Sequence, residues 1–235
     1  MEFIDFLKRA QVASEDGHKN MTVYPWMSEV RKYDNVLAKA ARRVGITTYI
    51  SMSALYDILY DRFDNVTIVT YHGGYRKRHF IDSLYTYYSW MMQEFNMEKR
   101  GIRVSDSGLY ISGKGSIEIY GLHECATRFR GHTKPTNKLY GDLFMSEDID
   151  QVMGLMVHAI DNSALFFQGL TENCRINQIY NNNDGLSDMD KTLKVLKEEF
   201  FWHTISIPHN LTSEQEESMR LMLGEERFKV EFMPQ

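Results

Sequence analysis

The sequence predicts an α/β domain with a central, mainly parallel sheet flanked by helices and a short helical lead at the N-terminus. Three observations predict it. Short apolar and β-branched runs alternate along the chain with stretches of helical periodicity, the pattern of strand–helix–strand units. The length of 235 residues suits one large core with additions. No internal repeat or low-complexity tract interrupts the alternation.

The elements follow in order. Residues 3 to 12 have the spacing of a short amphipathic helix, and "SEDGHKN" (14–20) reads as a polar linker. "NVLAKA" (35–40) is a largely apolar run that suits a buried strand. After Gly45, the residues Ile50, Ala54, Leu55, Ile58 and Leu59 mark one face of a 3.6-residue period, so a helix follows. "NVTIVTY" (65–71) is rich in β-branched residues and reads as a strand, which "HGG" breaks. Residues 76 to 96 form a Tyr/Met-rich helix, and 101 to 122 read as short strands joined by glycine turns. Strand candidates follow at 138–146 and 163–170, with a helical spacing over 148–160 between them. A polar loop (177–188) leads into a helix that Ser187 could cap and that runs to about Phe200. "WHTISIP" gives a last strand, and residues 213 to 223 a last helix stopped at Gly224.

Composition excludes several classes. Apolar residues make up 43% and charged residues 25%, so the chain is neither a disordered polyelectrolyte nor a membrane bundle. No apolar run reaches the roughly 18 residues of a spanning helix, and "MEFIDFLKRAQ" carries acids where a secretory signal needs an apolar stretch. The net charge of −5 supplies no global basic field, so any nucleic-acid contact must come from a local patch or from partner subunits. Cys125 and Cys174 make no disulfide framework and fit a reducing intracellular compartment.

The chemistry concentrates in "KAARRVGITTYIS" (39–51). A phosphate-cradling loop reads G-x-x-x-x-G-K-[ST], its backbone N–H groups and lysine holding the phosphates. Gly45 and Thr47 occupy the second Gly and the Ser/Thr positions, while Ala40 and Ile46 stand in for the first Gly and the Lys. A strand before the loop and a helix after it would point N–H groups at an anion.

The order of these motifs resembles the ATPase domain of phage terminase large subunits, which drive DNA into proheads. "AARRVGITT" resembles that family's Arg-rich Walker A loop, and "VYPWMSEVRKY" (23–33) its adenine-contacting Tyr/Pro/Trp-Gln segment. "TRFRGHTKPTNKLYGDLFMSED" (127–148) resembles its Arg-Gly segment leading into Walker B, and "SALFFQGLTEN" (163–173) its coupling strand. Residues 202–235 resemble the end of the ATPase domain. The resemblance divides the chain into an N-terminal helix and linker (1–20) and an ATPase-like domain (21–235), and implies a P-loop NTPase-like fold. It stops where the family's nuclease domain would begin, so no endonuclease activity is expected.

The resemblance also assigns roles. Arg42, Arg43, Val44, Gly45, Ile46, Thr47 and Thr48 would form the phosphate loop, with Arg42 beside the γ-phosphate and Thr47 as the Mg²⁺ ligand. Glu147 would orient the attacking water, and Thr171 and Asn173 would report nucleotide state. ATP and Mg²⁺ are the implied cofactors. The implied partners are double-stranded DNA, portal or other packaging subunits, further copies of the chain, and possibly a separate nuclease chain, all in the host cytoplasm.

The departures cut the other way. The adenine-contacting Gln falls on Met27, the lysine on Ile46 and the Walker B Asp on Ser146. Phosphoryl transfer rests on positioning and charge stabilisation, so these losses predict hydrolysis that is weak or gone. Lys39 or Arg43 could supply charge in an active enzyme. Asp142 lies about 13 Å along an extended strand from Ser146 and is set aside as a substitute. Another reading is a catalytically dead relative that binds a packaging or portal partner. The basic run "YRKRH" (75–79) and the aromatic cluster at 83–95 read first as a solvated helix start and as core.

Overall fold

The computed structural model describes residues 1–14, 17–41, 44–60, 63–71, 74–97, 100–128, 138–144, 163–168 and 202–232. Strand β3 (Asn35–Ala40) lies near one edge of an eight-stranded sheet of order β10-β3-β9-β8-β4-β7-β6-β5. Its members are β4 (Asn65–Thr70), β5 (Ile102–Ser105), β6 (Gly108–Ile111), β7 (Gly115–Gly121), β8 (Lys138–Phe144), β9 (Ser163–Gln168) and β10 (His203–Ile207). From β10 to β7 every neighbouring pair is parallel, and β5–β6–β7 close the far edge as an antiparallel meander. The parallel strands β3, β4 and β9 read as continuous apolar runs because they are covered on both faces.

One face carries the main core, where α3 (Ile46–Leu59) packs against α4 (Gly74–Glu94). Helix α3 is buried on almost every side, including at all five residues whose spacing predicted it. Helix α1 (Phe3–Arg9) adds Phe3, Phe6 and Leu7 to this core, and α2 (Pro25–Val30) adds Met27 and Val30. In α4 one face of the aromatic cluster is core: Leu84, Tyr87, Tyr88 and Met91 are buried, while Tyr85 is 49% exposed. The opposite face holds a smaller cluster of Leu37, Val69, Leu139, Leu143, Leu165, Phe167 and Trp202, with Leu122 and Cys125 of α5 (Leu122–Arg128).

Three expectations need correction. The described residues of the 14–20 segment are not a linker: β1 (Gln11–Ser14) pairs antiparallel with β2 (Gly17–Asn20) in a two-stranded sheet of their own. Backbone pairing supplies the order that this polar sequence does not advertise. The strand reading of 101–122 runs one residue too far, because Leu122 opens a helix that continues to Arg128. Helix α6 (Ser213–Leu223), which Thr212 and Gln215 close in a capping box, stops at Gly224 as expected but is not the last, because α7 (Glu225–Phe232) follows and buries Phe228 and Phe232. The helical spacings at 148–160 and 187–200 lie outside the described residues.

Candidate nucleotide site

The carboxyl ends of β3, β4, β8 and β9 meet the N-terminus of α3 along one edge of the sheet. In open α/β sheets this is where ligands bind. Gly45 caps α3 with φ 84° and ψ 24°, a left-handed conformation that glycine adopts without cost. Gly45 has no side chain to cap this end, which leaves first-turn N–H groups of the kind that bind anions. This is the geometry that the Gly45 position of a phosphate loop demands.

Thr47, half-buried in the first turn, donates its hydroxyl to Asp142 Oδ2 at 3.1 Å. Gln168, the last residue of β9, donates from Nε2 to Asp142 Oδ1. Asp142 is fully buried, and burial pushes its carboxyl above the ordinary aspartate value against the opposing pull of Arg76, Gln168, Thr47 and His79. Thr70 at the end of β4 is the register partner of Asp142, and its hydroxyl is buried without a hydrogen-bond partner among the described residues. The Thr47 hydroxyl on the Asp142 carboxylate, with the Thr70 hydroxyl in register on the next strand, supplies hard-oxygen groups of the kind Mg²⁺ takes.

Asp142 is the residue that sequence reasoning set aside. Asp142 stands far from Ser146 along the strand but within hydrogen-bond distance of Thr47 across the sheet edge. The signal was present in "KLYGDLF", an apolar run carrying an acid near its carboxyl end. Gly141 beside it admits β9 closely: a Cβ there would meet Leu165 Cδ2 at 2.7 Å. Sequence reasoning also passed over Gln168 and Thr70.

The other candidates fall as follows. Val44 and Ile46 are buried, and Ile46 belongs to the main core. Thr48 is half-buried on α3. Lys39 alternates with the core residues Ala38 and Ala40 and so sits on the sheet face opposite α3. Met27 is buried, and its carbonyl accepts from Tyr49 Oη at 3.3 Å. Arg42, Arg43, Ser146, Glu147, Thr171 and Asn173 lie outside the described residues.

A second polar cluster braces the strand that carries Asp142. Arg31, at the end of α2, donates to Asp57 Oδ1 at 2.7 Å and to Tyr140 Oη at 3.0 Å, and Tyr140 donates to Asp57 Oδ2 at 2.7 Å. The guanidinium also lies 4.3 Å from the Phe3 ring centroid. Burial alone would lower the pKa of Arg31, but Tyr140 and Asp57 more than offset it and hold the group charged. Tyr140 and Asp142 share one face of β8, so this triad fixes the strand two residues before the site.

No protein-family model matches the chain, and no curated protein matches its sequence. Solved structures do match. The large terminase of a thermophilic bacteriophage superimposes with a TM-score of 0.55 at 14% identity, over 88% of this chain and 49% of that one. The ATPase domain of the Thermus phage P74-26 large terminase gives 0.54 at 10% identity, over 90% and 93%. The HK97 bacteriophage large terminase gives 0.55 at 10%, over 93% and 46%. The first of these three has also been solved in complex with ADP. The chain thus has the fold of a phage large-terminase ATPase domain and spans about half the length of the thermophilic-phage and HK97 proteins.

Proposed function

We propose that the chain acts in viral DNA packaging as an ATPase-type domain that binds MgATP weakly at the α3 N-terminus, with hydrolysis weak or lost. The observation that carries the reading is the Thr47–Asp142 hydrogen bond at the carboxyl edge of a terminase-type sheet. A hydroxyl in the first helical turn and a carboxylate on the neighbouring strand are the pair that holds Mg²⁺ in P-loop NTPases. Mg²⁺ bound there would neutralise phosphate charge, and the α3 N-terminus would hold the phosphates. The buried Asp142 must ionise to serve, which the opposing positive charges assist. Working partners would be double-stranded DNA, portal or other packaging subunits and copies of this chain, in the host cytoplasm.

Weakness follows from Ile46. The position that carries a phosphate-binding ammonium in an active site carries an apolar side chain turned into the core. The same burial favours the second reading, a structural relative that binds a packaging partner and no nucleotide. Titration calorimetry separates the two. The first reading expects MgATP binding with a Kd weaker than about 1 μM, lost in Thr47→Val and in Asp142→Asn. Absence of binding at millimolar MgATP leaves only the structural role.

A further inference from the structure

Within the nucleotide-site reading, on which this inference rests, we propose that Arg76 is the residue that contacts the terminal phosphate of a bound nucleoside triphosphate, supplying from the same chain the positive charge that Ile46 lacks.

The basic run at the start of α4 is not a uniform cationic surface. Lys77 pairs with Glu124 at 3.5 Å, and Arg78 pairs with Asp82 at 3.1 Å. Arg76 is held differently. Its Nε donates to Tyr71 Oη at 2.7 Å, and its guanidinium lies 5.1 Å from the centroid of the same ring. Tyr71 continues β4, and its N–H donates to the carbonyl of Asp142 at 3.2 Å. Arg76 is therefore anchored to the strand ends that carry Asp142 and Thr70, in the first turn of a helix whose N-terminus faces the same edge.

The geometry suits a phosphate. The bond to Tyr71 uses Nε and leaves the two terminal nitrogens, and among the described residues no carboxylate lies within ion-pair distance of the guanidinium. A planar fork fixed against an aromatic ring is prepared for bidentate recognition of an anion. Arg76 is also the foremost of the groups that oppose the burial of Asp142, so its field reaches the metal-side carboxylate. Thr70, whose buried hydroxyl lacks a partner among the described residues, stands in register with Asp142 on the same strand that leads to Tyr71. The hydroxyl, the carboxylate and the arginine all stand where β4 and β8 end and α4 begins, the edge at which Thr47 of the α3 first turn meets Asp142. Lys39, on the opposite face, is not among them.

The test compares MgATP and MgADP affinity by titration calorimetry for the wild-type chain and for Arg76→Gln, Arg76→Lys, Tyr71→Phe and Asp142→Asn, with the unfolding temperature of each recorded without nucleotide. Losing a charged hydrogen bond to the terminal phosphate should weaken ATP in Arg76→Gln by about 10-fold or more while leaving ADP within about 2-fold. Arg76→Lys should recover part of the loss, and Tyr71→Phe, which keeps the ring but frees the guanidinium, should lose a smaller part. Equal ATP affinity in wild type and Arg76→Gln, with binding still lost in Asp142→Asn, would overturn the role of Arg76 and leave the site intact. Equal losses for ATP and ADP would also overturn it, as general electrostatics rather than terminal-phosphate contact. No nucleotide binding by the wild type would remove the site and this role together. If Arg76→Gln is unstable, the Tyr71→Phe comparison decides alone, and unchanged ATP selectivity there overturns the proposal.

Discussion

Replacing Asp57 with Ala tests whether the brace behind the site behaves as a buried ion network. Asp57 is fully buried, and the Arg31 side chain is only 11% exposed. Both carboxylate oxygens are engaged, one by the guanidinium and one by Tyr140. Asp57→Ala therefore leaves a nearly buried positive charge with no carboxylate and strips Tyr140 of its acceptor. Breaking a buried pair from one side costs about 3–5 kcal/mol. For a domain of this size 1 kcal/mol moves the melting temperature by about 2–4 °C, so the drop should be roughly 6–20 °C. The network logic adds a sharper expectation. The triple variant Arg31→Met, Asp57→Leu, Tyr140→Phe removes every polar group together and should recover most of that loss, because apolar side chains of similar size replace such networks with little or no penalty. Urea unfolding of wild type, Asp57→Ala and the triple variant measures both effects. An Asp57→Ala cost below about 1 kcal/mol would place the triad among weak surface pairs. A triple variant at least as unstable as the single one would show that its value lies in packing shape instead.

Other expectations are as direct. Burial raises the Asp142 carboxyl above its unfolded value, so its contribution to stability is complete below the ordinary aspartate range and is lost as pH rises through the raised folded value. Asp142→Asn should thus make the protein more stable than wild type above the raised folded value and flatten the pH dependence from the ordinary aspartate range upward, and a denaturation series showing the opposite slope would refute the assignment. Gly45→Ala meets no atom within 4 Å, so its cost is purely the left-handed backbone, about 1–2 kcal/mol; Gly45→Asn, which tolerates that conformation, should cost less in the same melts. Ile46→Lys exchanges a core side chain for a charge, and the apo melting temperature should fall by an amount equivalent to about 1–3 kcal/mol. Added MgATP should return part of it, and a variant with no nucleotide-dependent shift would mean that the turn at Gly45 holds no phosphate.

Local chemistry was legible where it was strong. The β-branched run 65–71 and the glycine break after it gave β4 and the start of α4 to within a residue or two, and the period of Ile50, Ala54, Ile58 gave α3. Gly45 as the turn into α3 was legible because only glycine takes that backbone freely. What could not be read is what depends on distant pairing. Asp142 becomes a candidate site residue only when β8 lies beside β4 and Thr47 reaches across from α3, 95 positions away in the sequence. Arg31, Asp57 and Tyr140 likewise look like scattered polar residues until three elements bring them together. The pairing of β1 with β2 was missed because its order comes from the backbone, with no apolar alternation to announce it.

Ile46 sits in the first turn of α3 and in the main core at once. A residue with one duty can drift until that duty fails, whereas this one answers first to packing. Native stability of only about 5–15 kcal/mol makes a buried cation a substantial cost, so a lysine at this position is better tolerated once stabilising changes have accumulated elsewhere. The acceptability of residue 46 is therefore contingent on the sequence around it, and the order in which substitutions arrive matters as much as their identity. A laboratory lineage selected for ATP hydrolysis should acquire core-strengthening changes before a charge at 46, and should rarely take the two in reverse.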